Sequence, residues 1–300
     1  MNRQYLVKLL TELQFPEDAV ISLGNAYEKL ISKGQEDGLR CIVEKYDRQV
    51  LSYNECIEQV KIFAIRTDIH EYVLTMIYLI FLGKVLKRQY TELGIDEELW
   101  VNAMVDLRFK ASDCHGLYGI WGTKDAPWHK SFFSLSRFGF GKLQFDSGFF
   151  GSDYEKEGLV LCKETPILNV HIPRTGEKLD YESVQQAYRD AIRFFRWFMP
   201  DKYEGHPVVF VLKSWMLFEK HKEILDPASN FMRFCSDFEI IERGQYADYA
   251  NVRWVFNRFY DGDLSVLPKE STLQRAYIEM IKNQERNGWG RGIYCPELPG

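Results

Sequence analysis

The sequence predicts an α+β protein: a helical N-terminal domain followed by a mixed β-sheet with flanking helices. Helical periodicity dominates up to about residue 115, and strand signals begin only after it. Within the second half, Ile167-Leu-Asn-Val-His-Ile-Pro173, Arg174 to Leu179, Asp180 to Met199 and Val208-Val-Phe-Val-Leu212 read as strand, glycine-bearing turn, helix and strand. That order is a βαβ unit, whose two strands should be parallel neighbours joined by a right-handed crossover. Ligands of such units sit beyond the carboxyl ends of the strands, where a helix amino terminus offers N–H groups to an anion.

The elements follow in chain order. Tyr5, Leu6, Leu9, Leu10 and Leu13, then Ile21, Leu23, Ala26, Tyr27 and Leu30, recur at helical spacing, as do Leu99, Trp100, Ala103, Met104 and Leu107 behind an Asp96 cap. Tyr72 to Leu82 is the most apolar run but falls short of the roughly 20 residues needed to span a bilayer, so it reads as a core helix. From Asp113 to Lys130 the glycines Gly116, Gly119 and Gly122 and Pro127 predict a loop-rich connector, with domains expected over 1–122 and 123–300. Arg137 to Asp146 and Leu159 to Lys163 read as antiparallel strands preceding the βαβ unit. In 180–199, Val184, Ala187, Tyr188, Ala191, Ile192, Phe195 and Phe198 mark one apolar helix face, with Asp180 as N-cap and Pro200 as stop. Downstream, a short helical segment is expected over 215–225, strands over Phe231–Glu242 and Val252–Phe259, and a last helix behind the capping box Ser271-Thr-Leu-Gln274. Asn287-Gly-Trp-Gly-Arg-Gly292 reads as capping and turn chemistry at the end of that helix.

Composition narrows the function classes. With 46% hydrophobic residues in 300, the chain can bury a sizeable core, and a formal net charge of −5 without a dense Lys/Arg cluster gives no case for nucleic acid. No signal-peptide core follows Met1, and no segment suits a membrane, so a cytoplasmic protein is expected. The six cysteines are scattered singly, with neither CxxC pairs nor histidines at metal-finger spacing, so no metal site is expected. Walker, HExxH and GxSxG motifs do not occur.

The βαβ unit, with the elements around it, resembles the catalytic domain of the GNAT superfamily of acyl-CoA-dependent N-acyltransferases. There the fourth strand feeds a loop of the type Gln/Arg-x-x-Gly-x-Gly/Ala whose amides hold the coenzyme A pyrophosphate. Arg174-Thr175-Gly176-Glu177-Lys178 keeps an Arg and one Gly of that pattern. Gly139-Phe-Gly-Lys-Leu-Gln-Phe145, Val170-His-Ile-Pro173 and Ser214-Trp-Met216 extend the similarity to a bacterial group that places a helical domain before a GNAT-like carboxyl-terminal domain. The resemblance implies an acyltransferase that uses acetyl-CoA or another acyl-CoA and modifies the amine of a small molecule or peptide. It also implies donor contacts at Ile172, Arg174, Thr175, Gly176, Glu177, Lys178, Ser214 and Trp215.

Acyl transfer from a thioester to an amine requires a base for the amine proton and a polariser for the carbonyl. Strand alternation puts Asn169 and His171 on one face, and an imidazole suits the base. A core histidine bonded to a neighbouring carbonyl is the plainer alternative. Asp237 and Glu239, expected on one face of the strand 231–242, are the next candidates, or else a solvated strand face. Glu177, Asp180 and Glu182 would repel an incoming pyrophosphate. A GNAT-like ligand-binding or protein-interaction module without catalysis is therefore the second reading.

Overall fold

A computed structural model describes residues 2–156, 159–175 and 179–296. It divides into two compact units, 1–138 and 139–300.

The amino-terminal unit is built from helices α1 (Arg3–Glu12), α2 (Glu17–Ser32), α3 (Glu36–Asp47), α4 (Tyr53–Thr67), α5 (Glu71–Glu92), α6 (Glu97–Tyr118) and α7 (Ala126–Phe133). Caps fix several starts. Ser52 and Glu55 form a reciprocal capping box on α4, and the Asp96 carboxylate accepts from the Glu98 amide. Every residue from Leu74 to Gly83 of α5 is buried, which makes this helix the unit's axis. Gly83 lets α6 press close, since a side chain there would begin 2.4 Å from the Met104 methyl, and the Trp100 indole donates to the Gly83 carbonyl at 2.9 Å. The connector expected over 113–130 is shorter in the structure. The α6 helix runs on through Gly116 to Tyr118 and stops at Gly119, whose φ of 69° is the left-handed C-cap that glycine favours. Residues 126–133, with Pro127 in the first turn, form a helix rather than loop.

The second unit is built on strands β1 (Arg137–Phe140), β2 (Leu143–Phe149), β3 (Tyr154–Lys156), β4 (Leu159–Leu161), β5 (Pro166–His171), β6 (Val209–Ser214), β7 (Glu239–Gln245) and β8 (Gly288–Tyr294). Between them lie α8 (Tyr181–Phe198), α9 (Pro200–Tyr203), α10 (His221–Ile224), α11 (Asn230–Ser236), α12 (Arg253–Phe256) and α13 (Thr272–Lys282). Six strands form one mixed sheet in the order β1-β2-β5-β6-β8-β7, and β3 and β4 pair separately. The α+β class is as expected, and so is the βαβ unit: β5 and β6 are parallel, with Ile167 opposite Val209.

Each face of the sheet has its own cover. Phe145 and Phe210 point toward α8, where the Tyr188 ring lies 5.8 Å and 4.6 Å from theirs, and Tyr294 joins the same cluster. On the opposite face Ile167, Val209, Val211 and Ile293 are buried with Phe150 and with Leu161 of the small hairpin. Further up that second face, toward the carboxyl ends of β5 and β6, the residues turn polar.

Three expectations are corrected, and one expected strand forms outside the main sheet. Residues 231–236 are helical, capped by Ser229 on the Met232 amide, with Phe234 and Phe238 one helical turn apart; only 239–245 is strand. Val252 to Phe259 holds no strand but a 3-10 turn running into α12, because Val252, Val255 and Phe256 are spaced for a helical face and all enter one core. Leu159–Leu161 pairs with β3 and stays outside the main sheet. The glycine-rich segment at 287–292 is neither cap nor turn: it opens β8, the strand between β6 and β7. Its glycines alternate, so Gly288, Gly290 and Gly292 present bare backbone on one face, and the 3-10 turn Trp215–Leu217 with Phe218 settles there. A side chain at Gly290 would begin 2.6 Å from the Leu217 carbonyl oxygen.

Candidate active site

The parallel pairing of β5 with β6 runs from Ile167–Val209 to Asn169–Val211 and stops there. Beyond it, among the described residues, Val170 and His171 stay paired to Phe145 and Gln144 of β2, and Leu212 to Ser214 stay paired to β8. Among the described residues the β5–β6 ladder thus ends before the carboxyl ends of the two strands, which part there. Buried backbone groups require partners, so such a parting suits a ligand carrying amides of its own.

The polar face beside the split has a definite composition. Asp146 and Asn169 are direct partners, as are Gln144 and His171, and Asp146 Oδ2 lies 3.7 Å from His171 Nε2. Both side chains are about one-fifth exposed, at 24% for His171 and 19% for Asp146. The carboxylate thus stands beside the imidazole on one face of the sheet. Across the split, Lys213 of β6 pairs with Arg291 of β8, and Arg291 reaches toward Glu242 of β7 at 3.9 Å. No sequence motif marks Asp146, Lys213 or Arg291. The signal for Asp146 was the alternation in Leu143–Phe149, which sets Gln144 and Asp146 opposite the buried Leu143 and Phe145.

The other candidates separate. Asp237 is the C-cap residue of α11, and its carboxylate accepts from the Tyr181 hydroxyl at 3.0 Å and the Gln185 amide at 2.8 Å, both on α8. Burial pushes its pKa up, against the pull of those two hydrogen bonds. Glu239 opens β7 and bonds Lys156 of the small hairpin at 2.7 Å, which holds its carboxyl below the usual range. The two acids do not share a strand face, which corrects that reading. Their partners lie on opposite sides of the sheet, because a helix end intervenes where strand was expected.

Ser214 ends β6 and accepts from the Met216 amide, capping the 3-10 turn, while Trp215 packs among His221, Phe231 and Tyr277. Ile172 and Thr175 are half-buried and Arg174 is exposed just past β5. Gly176, Glu177 and Lys178 lie outside the described residues. Asp180 caps α8, its carboxylate accepting from the Ser183 hydroxyl and from the Ser183 amide at 2.9 Å, and these hydrogen bonds lower its pKa. Among the described residues no cluster of His, Cys, Asp and Glu is placed to hold a metal ion, and no helix is long and apolar enough to cross a membrane.

Residues 137–294 match the model of the GNAT-like C-terminal domain, more than half of the chain. The chain belongs to this family. Residues 4–135 match the N-acyltransferase N-terminal domain, so the two matches between them cover nearly all of the chain. Among solved structures, the chain is similar to a mutant acyltransferase in complex with octanoyl-CoA, with a TM-score of 0.74 and 20% identity over 99% of this chain and 88% of that one. It is also similar to an acyltransferase in complex with decanoyl-CoA and teicoplanin, with a TM-score of 0.73 and 20% identity over 98% and 88% of the respective chains. At that identity the likeness establishes the fold of this GNAT-like acyltransferase family member. No curated protein matches the chain significantly.

Proposed function

We propose that this protein is an acyl-CoA-dependent N-acyltransferase acting on the amine of a small molecule, with His171 as general base. The parting of β5 from β6 just after Asn169 and Val211, directly beside His171, carries the reading. In this account the edges of residues 170–172 and 212–214 bond the amides of the pantetheine arm, and Arg174 and Thr175 meet the phosphates ahead of α8. His171 accepts the proton of the attacking amine as its nitrogen bonds to the thioester carbonyl carbon. The carbon–sulfur bond then breaks and the thiolate leaves, taking up a proton. Asp146 steadies the imidazolium formed in between. Asn169, on the same face, helps to orient the acceptor.

The family resemblance implies acetyl-CoA or another acyl-CoA as donor, and the octanoyl- and decanoyl-CoA of the structural neighbours favour a longer chain. The Asp180 carboxylate, which already holds the Ser183 amide at the start of α8, favours the second reading, a module without catalysis.

Thermal unfolding with acetyl-, octanoyl- and decanoyl-CoA separates the two. A donor that binds only the folded state, present at about 100 times its Kd, adds about 2.7 kcal/mol, a Tm shift of roughly 2–4 °C for a domain of this size. No shift with any of the three at millimolar concentration would exclude the acyltransferase.

A further inference from the structure

Lys213 and Arg291 sit directly opposite one another on β6 and β8, on the same face of the sheet. Like charges in a direct cross-strand pair destabilise a sheet, so the pair calls for a reason. Local neutralisation is slight. The Lys213 ammonium lies over the Trp289 ring, 3.9 Å from its centroid, is exposed, and has no carboxylate partner among the described residues. Arg291 stacks over Phe150 and, among the described residues, faces a single carboxylate, the half-exposed Glu242, at 3.9 Å. Both cations lie on the His171 face: Asn169 pairs with Val211, and His171 and Lys213 each stand two residues further on, across the split. The α8 helix covers the other face through Tyr188, so an anion at the start of α8 is served from the opposite side of the sheet.

Resting on the acyltransferase reading, we propose that Lys213 and Arg291 form an anion subsite for the acceptor. The acceptor then carries a carboxylate or phosphate a short distance from its reacting amine. The two cations hold that group in the same row as His171, which orients the amine toward the base, and an amine lacking the acid leaves the pair uncompensated.

The test measures CoA release from octanoyl-CoA with matched amines, γ-aminobutyrate against butylamine and phosphoethanolamine against ethanolamine. The acidic member should show a KM about tenfold lower, the scale of one charge-assisted contact at a partly exposed site. Lys213→Gln and Arg291→Gln should each bring the ratio of the two members close to one, while Lys213→Arg keeps the preference. Lys213 is exposed, so its variants report on binding even if Arg291→Gln disturbs the strand. Equal use of both members, or a preference that survives Lys213→Gln, overturns the proposal. Weaker thermal protection of Lys213→Gln by octanoyl-CoA also overturns it, since the anion would then be a donor phosphate. Failure of every amine to support CoA release, with octanoyl-CoA still protecting the wild type, removes the subsite and spares the donor half of the function. Loss of that protection in the wild type sinks the acyltransferase reading itself.

Discussion

His171→Ala lowers turnover by about 10²–10⁴ while octanoyl-CoA still raises the melting temperature. The loss falls on kcat because the imidazole acts on the amine proton in the transition state and makes little contact with the donor. His171→Gln separates chemistry from packing: the amide keeps most of the volume and can still bond, but it cannot take a proton at neutral pH. The ring is partly exposed and sits at the end of β5, so neither variant should unfold the sheet. Steady-state kinetics beside thermal protection decide the matter. Wild-type turnover in both variants would make His171 structural and place the base elsewhere.

Phe210→Ala destabilises the carboxyl-terminal unit by about 3–5 kcal/mol. Phe210 is fully buried on β6 and lies within ring contact of Phe145, Tyr188 and Tyr294, so its removal opens a cavity where β2, α8 and β8 meet. Neighbouring rings are rigid and can fill that space only in part. Denaturant titration should show the midpoint of this unit's transition fall by the corresponding amount at unchanged slope. A change below about 1 kcal/mol would mean that α8 does not lie on this face as described.

The parts of the fold legible in the sequence are those whose burial is one-sided and regular. The α8 stripe, the Asp180 cap, the uninterrupted apolar run of β6 and the Ser271 capping box each state their geometry locally. They imply the parallel β5–β6 pair before any contact is known. Glycine misleads at β8, where it signals a turn in most contexts. Here Gly288, Gly290 and Gly292 serve a tertiary purpose, a flat strand face under Leu217 and Phe218, which no local pattern reports. The segments 231–236 and 252–256 mislead through short aromatic runs whose helical spacing is only one turn long, too little for periodicity to decide.

At the site, His171 and Asn169 follow from alternation along one strand. Asp146 does not, because it comes from an antiparallel neighbour whose register is fixed only when β2 pairs with β5. Lys213 and Arg291 are likewise joined by the pairing of β6 with β8, a strand hidden within the glycine-rich segment. Asp237 and Glu239 show the converse: they are two residues apart in sequence, yet a helix end sends them to opposite sides of the sheet.

Hydrogen exchange at single-residue resolution, with and without octanoyl-CoA, tests most directly whether the parted strands hold the donor. Binding should slow exchange at the amides of 170–172 and 212–214, where β5 and β6 separate, and at the start of α8. Unchanged exchange at both parted edges under saturating octanoyl-CoA would contradict the account.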